Sequence, residues 1–174
     1  MKPWKKLSEK IIRLNKYRSM KKVRYQMPDG KKDDFFLFDR GRVIAAVVVT
    51  PEKKIVLAKQ FRLGPEEVLW ELPGGAVEKD EQPRQAVVRE IREEVGYAGK
   101  VKYLGNSTND AWSTLRRYHF LITDAKPAKK LQHDDHEFIE TVQVSLPQFR
   151  KLIRQGKLSD AETAYRGLEY LGWL

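Results

Sequence analysis

Residues 75–97 read GAVEKDEQPRQAVVREIREEVGY, and this stretch decides the fold. Glu90, Glu93 and Glu94 are spaced by three and four. On an α-helix each residue turns the chain by about 100°, so the three carboxylates share one face. Val87, Val88, Ile91 and Val95 recur at helical period beside them and form an apolar face to bury. Pro83 suits the first turn, where its missing N–H leaves nothing unpaired, and Gly96 suits the stop. Like charges on one helix face repel. A divalent cation would remove that repulsion, and hard oxygen ligands with room for phosphate are what Mg²⁺ takes. The plainer reading is a solvated acidic face on a surface helix.

The flanks bear on that choice. Gly75, Glu81, the Arg89-Glu90 pair, the Glu93-Glu94 pair and Gly96 stand at set offsets. The stretch resembles the Nudix box, G-x5-E-x7-R-E-U-x-E-E-x-G-U, where U is a bulky aliphatic residue. Every fixed position is matched, and the one departure is Tyr97 at the final U, a packing position. The resemblance implies an α/β protein, an α/β/α sandwich on a mixed sheet. It implies hydrolysis of a diphosphate that joins a nucleoside to another group, with Mg²⁺ or Mn²⁺ as cofactor. It also implies Glu90 and Glu94 as metal ligands with Glu93 close behind, and the Gly74 carbonyl as a further oxygen. Glu81 would act on the metal directly or through water, and Arg89 would orient the glutamates. An ordinary helix-surface ion pair is the plainer reading of Arg89 and Glu81.

The rest of the chain gives the sandwich its strands. Residues 4–17 carry a weak apolar pattern, a short strand or an irregular lead-in. Residues 18–38 read as a hairpin, with alternation in VRYQM, turn chemistry at Pro28-Asp29-Gly30 and a partner strand in DFFLF. Residues 43–50 are a continuous apolar strand, and 55–61 return as a second one that delivers Gln60-Phe61-Arg62. A short strand at 68–72 runs into Pro73-Gly74-Gly75. Strands are expected at 101–104, 117–123 and 138–144, with a polar loop over 106–114 and a charged loop over 126–136. A helix opens at Leu146-Pro147, and Ser159 is placed to cap a last helix. Strands on both sides of a central helix predict a layered α/β domain. Residues 1–40 are expected to form an N-terminal β extension and 41–174 the Nudix domain.

Composition narrows the class. The 174 residues suit one domain with a small appendage. There is no cysteine, which excludes disulfides and thiolate metal sites. No apolar run is long enough for a signal peptide or a membrane span, so a cytoplasmic location is expected. The net charge of +10 is uneven: the first 32 residues hold 12 Lys and Arg against 2 acids, which is the whole excess. Such a segment attracts phosphates, nucleic acid or an acidic partner. The plainer reading is a Lys-rich set of strands that resists edge-to-edge pairing.

Outside the box, the runs PDG, VLAKQFR, VLWELPGG and HDDHEFIETVQVSLPQF resemble the ADP-ribose pyrophosphatase and nucleoside diphosphate sugar hydrolase branch. That resemblance implies a nucleotide-sugar substrate and a homodimer built through the N-terminal sheet. It implies a general base in the late acidic loop, with Glu137 first and Asp134, Asp135 and Glu140 as alternatives. His133 and His136 flank that loop as phosphate or metal contacts, or as solvated side chains. From the residues themselves, Arg62 suits neutralisation of a phosphate, and Glu71 suits acceptance from a base or ribose. Base stacking needs an aromatic face, for which Tyr25, Phe35 and Trp112 are candidates unless they are core. The branch's usual proline after the box is absent from residues 106–114, which favours a broad nucleotide-sugar range, ADP-ribose or an ADP- or GDP-hexose. In that loop Asn109, Asp110 and Trp112 are sugar or base contacts, or ordinary loop residues. Two rivals stand beside this: a 5′-end RNA pyrophosphohydrolase gripping RNA through its basic N-terminus, and a non-catalytic nucleotide-binding Nudix module.

Overall fold

Two neighbouring strands, β4 (Arg42–Val49) and β5 (Ile55–Arg62), start as a hairpin and then part. Their turn is closed by the Thr50 N–H to Lys54 carbonyl bond at 2.9 Å. They pair only at Val48–Val56 and Val49–Ile55. Beyond that point β5 pairs instead with β6 (Glu67–Glu71), and β4 pairs with β7 (Gly74–Ala76). Pro73 bridges the two, and its carbonyl accepts from the Ala46 N–H at 3.0 Å. The glycine turn is thus stitched into the middle of the sheet. This is seen in a computed structural model that describes residues 1–15, 18–108, 110–128 and 138–174.

The sheet has the order β10-β5-β4-β9-β8, with β8 at Tyr97–Thr108, β9 at Arg116–Pro127 and β10 at Glu140–Val144. Alternation along the strands divides the core. Ile44, Ala46, Val48, Val56 and Ala58 face α1 (Pro83–Glu94) and meet its Val87 and Ile91. Val47, Val49, Ile55 and Leu57 face the opposite way. They meet Phe149 of α2 (Leu146–Arg154) and Ala164 and Leu168 of α3 (Ala161–Leu171). Helices on both faces explain why residues 43–50 read as an unbroken apolar run. The expected α/β/α sandwich is therefore what forms.

The chain divides into two compact units, the first being Met1–Arg42 with Ser107–Arg117. In it, β1 (Lys5–Arg13), β2 (Ser19–Gln26) and β3 (Lys32–Asp39) make an antiparallel sheet. Gly30, with φ of 86°, turns β2 into β3 in the left-handed region that glycine tolerates. Residues 107–117 join through the Phe38 N–H to the Trp112 carbonyl at 2.8 Å and the Thr114 N–H to the Phe38 carbonyl at 2.9 Å.

Local differences from the sequence reading have physical causes. Within the weak pattern over residues 4–17, Lys5–Arg13 form the strand β1, because β2 is there to pair with, and the register shifts between Lys6 and Ser8. The strand expected at 101–104 runs from Tyr97 to Thr108, since ladder pairing overrides the weak propensity of its glycines and polar residues. Asp160, not Ser159, stands at the N-cap of α3. The Ser159 N–H instead donates to the Trp70 carbonyl at 3.1 Å, fixing the approach to the helix on β6.

Candidate active site

Helix α1 begins with Gln82 as N-cap, its backbone N–H donating to the Gln85 side chain at 2.9 Å, and with Pro83 in the first turn. Burial of Ala86, Val87 and Ile91 fixes the helix's rotation. That rotation turns Glu90 and Glu94 toward the glycine turn held between β4 and β5.

Arg89 organises the acidic face. Its guanidinium takes Glu81 in a bidentate pair, at 3.0 Å from Nε and 2.9 Å from Nη2. Nη1 donates to Glu90 at 2.9 Å and to Glu93 at 3.1 Å, and Nη2 also reaches the Ala76 carbonyl at 3.1 Å. The hydrogen bond to Glu81, then the charge of Glu90, hold this guanidinium well above its usual range against partial burial. It is a permanent cation amid three carboxylates. Lysine has no planar fork to take Glu81 through two bonds while reaching the others.

The two glycines are needed for different reasons. A Cβ on Gly75 would fall 2.3–2.6 Å from the Glu90 carboxylate atoms. A Cβ on Gly74 would strike the Ile44 carbonyl at 2.3 Å. The Glu90 head therefore lies flat on the turn, in space that any side chain at Gly75 would fill. The Gly74 N–H donates to Glu94 Oε2 at 2.7 Å.

Glu94 is buried, at 8% exposure, and so needs partners. Besides Gly74, the Gln60 amide Nε2 donates to Glu94 Oε1 at 3.4 Å and to Glu71 Oε2 at 3.0 Å. Glu71 in turn holds Arg62, whose Nε donates to Oε1 at 2.8 Å and whose Nη2 donates to Oε2. The Glu71 hydrogen bond is the main cause that raises the Arg62 guanidinium above its ordinary value. Gln60 also borders an open cleft of 770 Å³ with Lys59, Phe61 and Ile139.

The structure thus brings Arg62, Glu71, Gly74, Glu81, Arg89, Glu90, Glu93 and Glu94 into two joined networks. Within the first unit, Tyr25, Phe35 and Trp112 come together. Trp112 stacks on Phe35 at 6.4 Å, Tyr25 meets Phe35 at 6.0 Å, and Trp4 adds a fourth ring 5.5 Å from Phe35. Asn109, His133, Asp134, Asp135, His136 and Glu137 lie outside the described residues. Glu140 pairs with Lys59 at 3.0 Å across β10 and β5. Asp110 accepts from the Trp112 N–H at 2.7 Å.

Sequence reading assigned no role to Gln60. The available signal was alternation on β5, which puts a polar amide in line with Val56 and Ala58, on the face that packs against α1. Tyr97, the departure from the box, is explained by a bond: its hydroxyl accepts from the Gln143 side chain of β10 at 2.6 Å. An aliphatic residue would pack there but leave Gln143 without that acceptor.

The donor set fits a divalent cation. Glu90 is pressed on Gly75, Glu94 is oriented by two donors, and the Gly74 carbonyl belongs to the same turn. Among the described residues no three acidic or imidazole side chains form a cage by themselves. Two carboxylates and a carbonyl would leave coordination positions to phosphate and water, as Mg²⁺ prefers.

The chain belongs to the NUDIX domain family, whose sequence profile matches residues 39–166. It is 32% identical over 149 residues to an ADP-ribose pyrophosphatase of Bacillus subtilis, covering 84% of this chain and 80% of that one. It is 31% identical to an ADP-ribose pyrophosphatase of Saccharomyces cerevisiae, covering 84% and 73%. Its fold matches a crystal structure titled ADP compounds hydrolase with a TM-score of 0.82, at 17% identity, covering 100% of this chain and 98% of the other.

Proposed function

We infer that the protein is a hydrolase dependent on Mg²⁺ or Mn²⁺ that splits the diphosphate of nucleoside diphosphate sugars. ADP-ribose and ADP- or GDP-hexoses are the expected substrates, giving a nucleoside monophosphate and a sugar phosphate. The observation that carries this reading is Glu90 lying on Gly75 while Glu94 is held by the Gly74 N–H. The nucleotide-sugar class is supported by relatives named ADP-ribose pyrophosphatase.

Glu90, Glu94 and the Gly74 carbonyl would hold the cation, with Glu93 and Glu81 behind them. Bound there, the metal supplies positive charge to the diphosphate oxygens and acidifies water. Arg89 keeps Glu81, Glu90 and Glu93 oriented. Arg62 offers its guanidinium to a phosphate. Glu71 holds Arg62 and keeps acceptor capacity on Oε1, which receives one donor, for a base or ribose. Tyr25 and Trp112 offer aromatic faces to a base. Water attacks one phosphorus, the bridging P–O bond breaks, and Glu137 takes the water's proton. The working form is a cytoplasmic homodimer joined through the N-terminal sheet, which exposes Ile11, Phe36 and Phe38. Light scattering on the purified protein tests the dimer.

The test of the reaction is a panel of ADP-ribose, ADP- and GDP-hexoses, nucleoside triphosphates and 5′-triphosphate RNA, each with Mg²⁺ or Mn²⁺ and resolved by ion-exchange chromatography. Nucleotide sugars should yield a nucleoside monophosphate and a sugar phosphate. If no compound turns over with either metal, the non-catalytic binding module takes first place. Glu137→Gln should lower kcat by about 10²–10⁴-fold, the usual contribution of a positioned base, with Mn²⁺ affinity retained. A near-wild-type kcat would move that role to the box helix.

A further inference from the structure

Gln60 is 7% exposed and sits between two buried carboxylates, Glu71 and Glu94, which are 7% and 8% exposed. Two carboxylates that close repel unless a donor stands between them. The Gln60 amide is that donor, at 3.0 Å to Glu71 and 3.4 Å to Glu94. Each carboxylate has another fixed partner, the Arg62 guanidinium for Glu71 and the Gly74 N–H for Glu94. A continuous path therefore runs from Arg62 through Glu71, Gln60 and Glu94 to the glycine turn.

We propose that Gln60 is a positioning residue that sets Glu94 for the cation and Arg62 for the substrate phosphate together. The chemistry is that of a bridging amide, which neither ionises nor binds the metal in place of the carboxylates. This rests on the metal-dependent reading above, but it concerns geometry that exists before any substrate binds. A glutamate at this position would bring a third charge into the gap. A methionine would keep the volume and remove both N–H donors.

The experiment compares wild type, Gln60→Met and Gln60→His, the last of which retains a ring N–H donor. Mn²⁺ affinity is read from the free-ion electron paramagnetic resonance signal, beside kcat, KM and the thermal midpoint. Gln60→Met should weaken Mn²⁺ binding and lower kcat, each by about 10- to 100-fold, the scale expected for removal of an outer-sphere partner. KM for the nucleotide sugar should rise with it, and Gln60→His should recover part of both losses. Combined with Arg62→Met, the loss in kcat/KM should be less than the product of the two single losses, since both remove support from one path. Wild-type Mn²⁺ affinity in a folded Gln60→Met, or strict multiplicativity with Arg62→Met, overturns the proposal. If Gln60→Met does not fold, Gln60→Leu, which also lacks a donor, takes its place, and unchanged Mn²⁺ affinity with unchanged KM in it overturns the proposal again. A wild type that binds Mn²⁺ but hydrolyses no nucleotide sugar sinks the reaction and leaves the Mn²⁺ comparison standing. A wild type that binds no Mn²⁺ sinks both.

Discussion

At the residue scale, adjacent glycines are expected to fail in different ways. In Gly75→Ala the new methyl meets a flexible carboxylate, that of Glu90. The side chain must swing away, so the fold survives while the site is displaced. A misplacement of about 1 Å can cost roughly 10²-fold in rate, and that is the expected loss in kcat, with the thermal midpoint little changed. In Gly74→Ala the methyl meets backbone, the Ile44 carbonyl inside the sheet. Here the thermal midpoint should fall with activity. Calorimetry beside initial-rate kinetics on the two variants checks the contrast, and equal midpoints would undo the assignment of roles.

At the element scale, helix α2 is fixed by one fully buried side chain, Phe149, among Leu57, Leu121 and Leu168. Phe149→Ala should destabilise the protein by about 3–5 kcal/mol, the usual loss for a buried phenylalanine, as measured by urea unfolding. The N-terminal sheet carries ion pairs on its surface beside its ladders and its ring cluster. Hydrogen bonds from Lys6 and then Lys21 hold the Glu9 carboxyl below its ordinary 4.5, and one from Lys22 holds Asp34 below 3.8. The same Glu9 bond raises Lys21 above 10.5. Depressed carboxylates stabilise fully above their unfolded values and lose that effect as pH falls through the folded ones. A raised lysine stabilises fully below its unfolded value and loses that effect as pH rises through the folded one. The sheet should thus be firmest between about pH 4.5 and 10.5 and loosen below the lower bound. Tryptophan fluorescence against pH reads this through Trp4, and added salt should blunt the change. The limits of α1 were legible in the sequence because period, Pro83 and Gly96 act within one element. The burial of Glu94 was not, since it depends on Gln60 and Gly74 arriving from two other strands. The gathering of Trp4 with Tyr25, Phe35 and Trp112 was hidden likewise, because Trp112 lies far along the chain from the sheet it joins.

At the scale of the whole molecule, the charge map separates two functions. The excess of +10 lies in the first 32 residues, while the rest is balanced. If the basic sheet served RNA, affinity would fall steeply with salt as counterions are released. A nucleotide sugar carries few charges, so its KM should rise only shallowly between low and physiological salt, and a steep rise would favour the RNA reading. The parted hairpin has a different consequence. Residues 67–76 are stitched between β4 and β5, whose Ala46, Val47, Leu57 and Ala58 are wholly buried. The glycine turn therefore cannot come loose as a surface loop does. It opens only when the central sheet opens, among the last protons in the molecule to exchange with solvent. Deuterium uptake at Gly74 and Ala46 should be as slow as in the core, and heat should remove the site and the fold in one cooperative step, leaving no folded but inactive form along the way.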